Sequence, residues 1–422
     1  MADSNASPKS KRHVIVIGAG IVGTCCALYL QREGFQVTLI EKNKPGVGAS
    51  GANAGNLGIA SCVPLSTPGM VWQVPGMMLD KTSALKLRWR YFPGAIPFLI
   101  RFMRAGNRKK VEEIADALLS LMSRLHDAYQ PLLDDANAHD LIKQLGRATV
   151  YQTEKGLAGC KYSVELRQRR DIEIEMLSGD ELREIIPDLS PEVKGGYHIL
   201  KAIQCFNPER LVEVFAEHLV RQGGSLLYER VHGVEDATDG KGCSVLTDLG
   251  RHSADAVVLS AGAWSTPLVK QLGARVPMHT ENGYYTMFPN PGVRLPIPIT
   301  GGDCHVALAE MEGGLRVSGI AEYVPVDVPP KWEYCEAITE HTKTLLPGLN
   351  VEGAYNGLGP RPSMPDGKPV IGRSPRYPWA FFAFGHGHVG LGTGAITGRI
   401  ISQLVAGRPP EVDLAPFRHD RF

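Results

Sequence analysis

Residues 13–42 contain the feature that most restricts how this chain can fold. They read HVIVIGAGIVGTCCALYLQREGFQVTLIEK, an apolar run, a glycine-rich turn, a helix-like stretch and a second apolar run. Gly18, Gly20 and Gly23 have the spacing GxGxxG between a strand predicted over 13–17 and a helix. Such a turn lets the backbone approach a pyrophosphate, and the helix N-terminus offers it free N–H groups. We therefore predict an α/β unit that binds a dinucleotide.

An acid follows the second apolar run at the position that such units use for a ribose. Glu41 ends a strand predicted over 37–40, eighteen positions after Gly23. Its carboxylate can accept hydrogen bonds from the adenosine ribose hydroxyls and would repel a 2′-phosphate, which argues against NADP. A glycine-rich turn without a ligand is the alternative, but the strand, the helix and the acid together favour a dinucleotide.

The rest of the chain favours FAD over NAD. Residues 42–60, KNKPGVGASGANAGNLGIA, have no helical or strand period, so their backbone N–H groups can approach an extended ligand. Residues 386–407, HGHVGLGTGAITGRIISQLVAG, supply a second glycine-rich loop and helix near the C-terminus. A helix N-terminus at 390–393 would stabilise the negative charge of a reduced flavin, which a nicotinamide does not require.

The segments between these motifs predict further helices and a second sheet. Apolar spacing predicts an amphipathic helix over 108–133 that stops near Pro131, and another helix over 208–222. Residues 225–264 are typical of consecutive strands, with a turn at 239–240. The chain beyond them is rich in strand patterns and prolines, which fits a mixed sheet over a pocket.

Composition excludes several classes of function. The net charge of +1 gives no indication of nucleic-acid binding. The eight cysteines form no CxxC pair and no cluster at zinc spacing, so we predict reduced thiols and no metal site. The N-terminal residues MADSNASPKSKR lack an apolar core and are interpreted as a disordered arm. No apolar run approaches the roughly 20 residues of a spanning helix.

Five segments in order carry a resemblance to a known family: VIGAGIVG, GASGANAGNLG, VVLSAGAW, GPRPSMPDGKPVIG and FGHGHVGLGTGAITGRII. Over nearly its whole length the chain resembles the D-amino-acid oxidase superfamily of FAD-dependent amine oxidoreductases, and is most similar to its bacterial D-amino-acid dehydrogenase small-subunit branch. The resemblance implies an α/β fold with a discontinuous Rossmann-like FAD-binding domain. The implied FAD-binding segments are 11–66, 205–272 and 356–422. A substrate-binding domain, a mixed β-sheet flanked by helices, would comprise 67–204 and 273–355, with a helical insertion at about 70–145.

The resemblance also implies which residues hold the cofactor. FAD should be non-covalent, because the cysteine that the sarcosine-oxidase branch carries near RPSMP is absent here. The residues implied to contact FAD are Gly18, Ala19, Gly20, Gly23, Glu41, Lys42, Ser50, Asn53, Ala54, Gly55, Asn56, Leu57, Val231, Ala261, Gly262, Trp264, Gly385, Gly390, Leu391 and Thr393.

Candidate catalytic residues follow from the same resemblance. Arg361 matches the arginine that clamps a substrate carboxylate, whereas by itself it would be interpreted as part of a structural ion pair. Tyr284 and Tyr285 are neighbours on a predicted strand, so one should face the pocket and the other the core. His386 and His388 are candidates to hydrogen-bond flavin or substrate, the alternative being loop histidines satisfied by the backbone.

The implied reaction is oxidative deamination of a D-amino acid. Hydride would pass from Cα to flavin N5, and water would hydrolyse the imine to a 2-oxo acid and ammonia. The lysine that aids oxygen reactivity in oxidases is absent, and Glu281-Asn282 replace a basic residue of many relatives, so we expect a quinone or another carrier as acceptor. Two alternatives stay open: oxidation of secondary amino acids (N-methyl, proline-like or opine type), and a non-catalytic FAD-binding electron-transfer subunit.

Segment 88–110 bears on where the protein works. It mixes aromatic and basic residues, which suits contact with a membrane surface and quinone reduction. The alternative is a packed helix with a solvated basic face. We expect a cytoplasmic protein, with peripheral contact with the inner face of the membrane as the open question. The oligomeric state and the substrate side chain are not predictable from the sequence.

Overall fold

The structure is a computed structural model, and it describes residues 11–68, 83–238 and 240–422. The predicted N-terminal arm lies almost wholly outside these residues, as do 69–82 of the predicted helical insertion. Asp239 of the predicted turn also lies outside them, although Gly240 beside it has the left-handed φ of +73° that such a turn requires.

The strands of the described residues are listed here in chain order. They are β1 (His13–Ile17), β2 (Gln36–Glu41), β3 (Asn56–Leu57), β4 (Leu85–Lys86), β5 (Ile142–Gln144), β6 (Arg147–Tyr151), β7 (Ile174–Ser178), β8 (Gly195–Ile199), β9 (Ile203–Cys205), β10 (Ser225–Tyr228), β11 (Val231–Asp236), β12 (Cys243–Thr247), β13 (Arg251–Ala254), β14 (Ala256–Leu259), β15 (His279–Phe288), β16 (Ile299–Gly301), β17 (Val306–Met311), β18 (Gly314–Tyr323), β19 (Tyr355–Ser363), β20 (Val370–Arg373) and β21 (Ala380–Phe384).

The α-helices of the same residues are labelled in the same way. They are α1 (Ile21–Arg32), α2 (Phe92–Ala105), α3 (Arg108–Met122), α4 (Leu125–Ala136), α5 (Glu154–Gly159), α6 (Lys161–Gln168), α7 (Gly179–Ile185), α8 (Pro208–Arg221), α9 (Ser265–Gln271), α10 (Tyr334–Leu345) and α11 (Gly390–Val405). None of the helices in the described ranges is long and apolar enough to cross a membrane.

A six-stranded sheet forms the Rossmann-like layer, with strand order β10-β2-β1-β14-β21-β20. All its pairs are parallel except the pair of β20 with β21. Val14 and Val16 belong to the core on one face of the sheet, and Ile15 and Ile17 to the core on the other. Apolar residues at successive positions of β1 are therefore needed because both faces of a parallel sheet are buried.

A larger mixed sheet packs beside this layer. Its strand order is β19-β15-β18-β17-β16-β6-β8-β7, and β4 pairs with the end of β18. Helix α10 covers one face, where Tyr284 and Phe288 of β15 pack with Ile338. Strand β19, which carries Arg361, pairs with β15 of this sheet. The resemblance implies that the chain from residue 356 onwards, and so most of β19, belongs to the FAD-binding domain. The division into domains itself stays a prediction.

The helix predicted over 108–133 is wrong in its bounds. The structure has two helices, α3 and α4, separated at Ser123-Arg124, and α4 continues through Pro131 to Ala136. Proline cannot donate to the carbonyl four residues earlier, that of Asp127. The Arg399 guanidinium lies 3.4 Å from that carbonyl and supplies a donor in its place.

Candidate active site

A cavity of about 500 Å³ lies at the carboxyl ends of β1, β2, β14 and β21. Ligands bind at this edge of open parallel sheets because loops and helix N-termini converge there. The structure brings together at this cavity most of the residues predicted to hold the dinucleotide. Those that line it are Gly18, Ala19, Gly20, Glu41, Lys42, Ser50, Asn53, Val231, Ala261, Gly262, Trp264, Gly385, Gly390 and Leu391.

The glycine-rich turn is shaped by very close backbone contacts. Gly18 has a φ of +102°, and a Cβ there would lie 2.6 Å from the carbonyl oxygen of Ser260. A Cβ on Gly23 would lie 1.8 Å from the carbonyl oxygen of Gly18, so only glycine lets α1 start this close to β1. Gly20 is the N-cap of α1 and lines the cavity. The positive end of the helix dipole therefore faces the space that a pyrophosphate would occupy.

Two polar side chains join this turn to the loop that follows β2. The Ile21 N–H donates to Ser50 Oγ at 3.0 Å. The Glu41 carboxylate accepts from the Ala19 N–H at 2.9 Å and from the Asn43 N–H at 3.1 Å. These bonds hold the Glu41 carboxylate on the cavity wall, and its contact with a ribose stays a prediction.

The far wall of the cavity contains a cation over an aromatic ring. Lys42 Nζ lies 3.6 Å from the centre of the Trp264 ring, a separation at which a cation–π attraction operates. Burial lowers the pKa of Lys42, and the charge of Arg230 lowers it further. Val231 lines the same end of the cavity.

At the opposite end of the cavity, the turn after β21 leads into α11. Gly385 has a φ of +78°, and Gly390 is the first residue of the helix. His386 is 3% exposed, its Nε2 lies 3.0 Å from Thr397 Oγ1, and burial lowers its pKa to about 3. The imidazole is therefore neutral at physiological pH and ties the turn to the first turns of α11.

The two tyrosines of β15 face opposite sides of the large sheet, as their adjacency predicts. Tyr284 is fully buried in the core, and its OH donates to Glu322 at 2.8 Å. Tyr285 faces the other side, with the Arg316 guanidinium 4.5 Å from its ring centre. Arg316 in turn donates to the Asn53 carbonyl at 2.8 Å, so the face with Tyr285 is the one beside the cofactor loop. Neither tyrosine lines the cavity.

Arg361 lies on β19 between two prolines that line the cavity, Pro360 and Pro362. Its Nη1 lies 2.9 Å from Oε1 of Glu281, directly opposite on β15. The Arg361 side chain is 22% exposed and that of Glu281 is 1% exposed. A Cβ on Gly283 would lie 2.3 Å from Arg361 Cζ, so a glycine is needed for the guanidinium to cross β15.

Glu281 is the centre of a buried polar cluster. His388 Nε2 lies 2.7 Å from its Oε1, the atom that also contacts Arg361. Its Oε2 accepts from Ser363 Oγ at 2.8 Å and from Tyr323 OH at 3.0 Å. Burial raises the pKa of Glu281, but the contact with His388, the positive charge of Arg361 and the Ser363 hydrogen bond outweigh it and hold the pKa well below its usual range. Glu281 is therefore a carboxylate at neutral pH.

Comparison with known proteins decides the family. A family model described as DAO, FAD dependent oxidoreductase, matches residues 13–404. This chain belongs to the DAO family. It is 34% identical over 418 residues to a D-amino-acid oxidase of Bradyrhizobium diazoefficiens, a match that covers 97% of this chain and 99% of that protein. It is 27% identical over 410 residues to D-amino acid dehydrogenase 2 of Mesorhizobium japonicum, covering 95% and 98% of the two chains.

Solved structures agree with this DAO-family fold. A glycine oxidase from Geobacillus kaustophilus superimposes with a TM-score of 0.76 at 20% identity, over 98% of this chain and 100% of that one. An L-proline dehydrogenase from P. horikoshii gives a TM-score of 0.73 at 18% identity, over 98% of each chain. The DAO-family chain is thus an FAD-dependent oxidoreductase that acts on amino acids, and the glycine turn, Ser50 and Glu41 fit the FAD that its family binds.

Six residues that the resemblance implies to contact FAD do not line the cavity of this DAO-family enzyme. Asn56 and Leu57 form β3, which pairs with β9. The Ala54 carbonyl accepts from Gln204 Nε2 at 3.0 Å, and a Cβ on Gly55 would meet the same amide group. Thr393 Oγ1 donates to the Val389 carbonyl at 2.8 Å inside α11. Together with Gly23, these residues shape the wall, and their contact with FAD stays a prediction.

The sequence interpretation missed the Glu281 cluster of the enzyme. Glu281 was singled out only as a departure from a basic residue, and Ser363 and Tyr323 were not singled out at all. One signal was available, since Arg361 and Ser363 are two residues apart on a strand and must share a face. Their common partner was not predictable, because Glu281 is 80 residues away in the chain.

Proposed function

We propose that this DAO-family enzyme catalyses the oxidative deamination of a D-amino acid and passes the electrons to a quinone or another carrier. The names of its relatives favour the D-configuration, since the Bradyrhizobium and Mesorhizobium proteins are a D-amino-acid oxidase and a D-amino acid dehydrogenase. Structures below 25% identity act on glycine or L-proline, and they support the fold alone.

The placement of Arg361 carries the proposal. Among the described residues, only its Nη1 has a protein partner, and that partner is Glu281. Nε and Nη2 therefore remain as a pair of parallel donors, the geometry that binds a carboxylate bidentately. Arg361 itself does not line the described cavity, but its neighbours Pro360 and Pro362 do, and so does Gly387 beside His388, which shares the Glu281 carboxylate with Arg361. This supports a position of the guanidinium beside the cavity, at the end near Gly385.

The roles of the other residues follow from this arrangement. Gly18, Gly20 and Ser50 would hold the pyrophosphate, and Glu41 the ribose. When bound, FAD supplies the acceptor for the hydride that leaves the substrate Cα. Arg361 would fix the substrate carboxylate, and orientation of this kind can contribute about 7 kcal/mol or more to lowering a barrier. No cysteine lines the described cavity, which supports non-covalent FAD.

The electron acceptor has two candidates. A carrier is favoured by the lack of a lysine on the described cavity wall near Gly385 and Leu391, since the lysines that line the cavity are Lys42 and Lys44 at its other end. Molecular oxygen is the second candidate, because the relative of 34% identity is named an oxidase.

The surface of α2 supports a membrane-bound carrier such as a quinone. Residues 83–111 contain eight Lys or Arg and no Asp or Glu. Trp89 is 70% exposed, and Ile96 and Ile100 are exposed on the same side of α2 as Arg101 and Arg104. Apolar side chains among basic ones are suited to the surface of an anionic membrane. The helix also buries Ala95 and Phe98 against the protein, so packing and membrane contact use different faces.

The decisive experiment follows the flavin absorbance of the purified holoenzyme without oxygen. D-amino acids, their L-enantiomers and N-methyl amino acids are added one at a time. Bleaching by a D-amino acid supports the proposal, and bleaching by N-methyl or proline-like substrates alone would overturn it. A flavin that no amine bleaches would indicate a non-catalytic electron-transfer subunit. The electron acceptor is tested by reoxidation of the reduced flavin. If air releases peroxide and a soluble quinone does not reoxidise the flavin faster, the acceptor is oxygen and not a carrier.

A further inference from the structure

His388 lies beside the cavity and belongs to the same polar cluster as Arg361. It is on the short 3₁₀ turn Gly387–Val389; Gly387 before it and Gly390 two residues after it line the cavity. Its side chain is 37% exposed, in contrast to the buried His386. The sequence leaves the two histidines equivalent. In the structure His386 lines the cavity but is bonded to Thr397 of α11, whereas His388 does not line the described cavity and contacts Glu281 instead.

The contact with Glu281 fixes which ring nitrogen carries a proton. The Glu281 carboxylate has no hydrogen to donate, so the His388 Nε2 that lies 2.7 Å from it must be the protonated nitrogen. Nδ1 of the neutral ring is then an acceptor with a free lone pair. No partner of Nδ1 is found in the described part of the chain. A carboxylate that sets the tautomer of an imidazole in this way is a common means of preparing a base.

The same carboxylate places His388 next to the proposed carboxylate site. Nη1 of Arg361 lies 2.9 Å from Oε1 of Glu281, and Nε2 of His388 lies 2.7 Å from the same oxygen. The distance between these two nitrogens is therefore at most the sum of the two contacts. The ammonium and carboxylate groups of an amino acid share one carbon. A substrate held by Arg361 therefore brings its ammonium near the His388 ring.

Other ionisable groups around this centre do not compete for the role. Each carboxylate oxygen of Glu281 already has two donors. Arg361 and His388 contact Oε1, and Ser363 and Tyr323 donate to Oε2. Burial, together with the charge of Glu281, raises the pKa of Tyr323 well above its usual value, so its OH stays protonated. His279 is on the same side of β15, but its ring packs against those of Phe98 and Tyr323, its Nδ1 lies 2.9 Å from the Thr280 carbonyl, and among the described residues it makes no contact with Glu281.

We propose that His388 accepts, at Nδ1, the proton that the substrate ammonium must lose before oxidation, and that Glu281 is the residue that positions it. This inference rests on the proposed function. The ammonium gives its proton to the imidazole, which becomes an imidazolium paired with Glu281. The amine lone pair is then free to form the C=N bond, and FAD, when bound, would supply the acceptor for the hydride that leaves Cα. Water converts the iminium to the 2-oxo acid and ammonium.

The test compares the anaerobic rate of flavin reduction by D-alanine between pH 6 and pH 10. His388→Gln keeps an N–H donor for Glu281 but has no proton acceptor. At pH 7 we expect it to be at least about 100-fold slower than the wild type. Its rate should recover about tenfold per pH unit, because solution must then deprotonate the amine. His139→Gln, whose Nε2 also lies 2.7 Å from a carboxylate, that of Asp134, is the matched control and should keep the wild-type profile.

Two outcomes would overturn the inference in different ways. If the wild type is reduced and the His388→Gln profile superimposes on it, His388 has no proton-transfer role while the proposed function stands. If no D-amino acid reduces the wild type, the proposed function fails and the inference with it. His388→Asn serves as a second variant if the glutamine variant does not fold. Independently of activity, ¹⁵N NMR of histidine-labelled holoenzyme should show the Nε2–H tautomer at His388, and an Nδ1–H tautomer would contradict the inference.

Discussion

Arg361 and Glu281 face each other across two antiparallel strands, with Nη1 2.9 Å from Oε1. The arginine at the proposed substrate site thus has a permanent anionic partner inside the protein. The partner takes one edge of the guanidinium and leaves the other for a ligand. In the proposed function the ion pair and the carboxylate clamp, which are alternatives when only the sequence is known, are two uses of one side chain.

Removal of one member of this pair should affect stability and binding separately. In Arg361→Gln the buried Glu281 loses a cation, which should lower the free energy of unfolding by about 3 kcal/mol or more. The half-saturating D-amino acid concentration should rise at least tenfold. Adding Glu281→Gln should restore much of the stability but none of the affinity. Urea denaturation and anaerobic flavin titration measure the two effects, and unchanged half-saturation in Arg361→Gln would contradict the clamp.

Gly283 should matter for substrate affinity through the space that it leaves. A Cβ at this position would lie 2.3 Å from Arg361 Cζ, so Gly283→Ala must move the guanidinium. We expect the half-saturating substrate concentration to rise about tenfold, since 1.4 kcal/mol of lost binding corresponds to that factor. Gly94→Ala, on the exposed face of α2 where a Cβ meets nothing within 4 Å, is the control. Equal behaviour of the two variants would show that Arg361 needs no such space.

Glu41 should contribute to FAD binding. Hydrogen bonds to a charged group contribute roughly 1.5–3 kcal/mol, so Glu41→Gln should weaken FAD binding at least about tenfold. The dissociation constant can be obtained by titrating the apoprotein with FAD and following quenching of the flavin fluorescence. Glu333→Gln, an exposed position outside the cavity, should leave it unchanged. An unaltered constant in Glu41→Gln would remove Glu41 from the cofactor site.

His386 should make the fold sensitive to mild acid. Its pKa is about 3 in the folded protein and 6.5 in a free histidine, because burial disfavours the charged ring. The unfolded chain therefore binds this proton first as the pH falls below 6.5. The free energy of unfolding should therefore fall, as the pH decreases from 6.5 to 3, by up to about 1.4 kcal/mol per pH unit. His386→Asn should show a shallower slope than the wild type in urea denaturation between pH 6.5 and 4.5, and parallel slopes would contradict this.

The basic face of α2 should bind anionic membranes. Each Lys or Arg near such a surface contributes about 1 kcal/mol, so Arg101→Glu combined with Arg104→Glu should weaken binding more than tenfold. Co-sedimentation with phosphatidylglycerol vesicles measures the binding, and phosphatidylcholine vesicles should retain little protein. Lys194→Glu with Lys270→Glu, both exposed on other surfaces, makes the same change in charge and should have a small effect. Equal loss in the two double variants would indicate a general charge effect.

Residues close together in the chain could be interpreted from the sequence alone. Gly18, Gly20 and Gly23 form one turn, and Glu41 follows the next strand, so local spacing predicts their arrangement. The faces of Tyr284 and Tyr285 are predictable as opposites, because a strand alternates. Which of them faces the core depends on α10 and β18, and no local pattern contains that information.

What only the tertiary structure decided is which distant side chains meet. Glu281, Arg361 and His388 lie on two strands and a turn that are brought together by strand register and by the packing of the two sheets. Pro131 does not end its helix, and Arg399 from another helix reaches the carbonyl that the proline leaves without a donor. A sequence determines the conformations that neighbouring residues can adopt. The partner of a buried charge is determined by which surfaces the chain packs together, and that is a property of the whole fold.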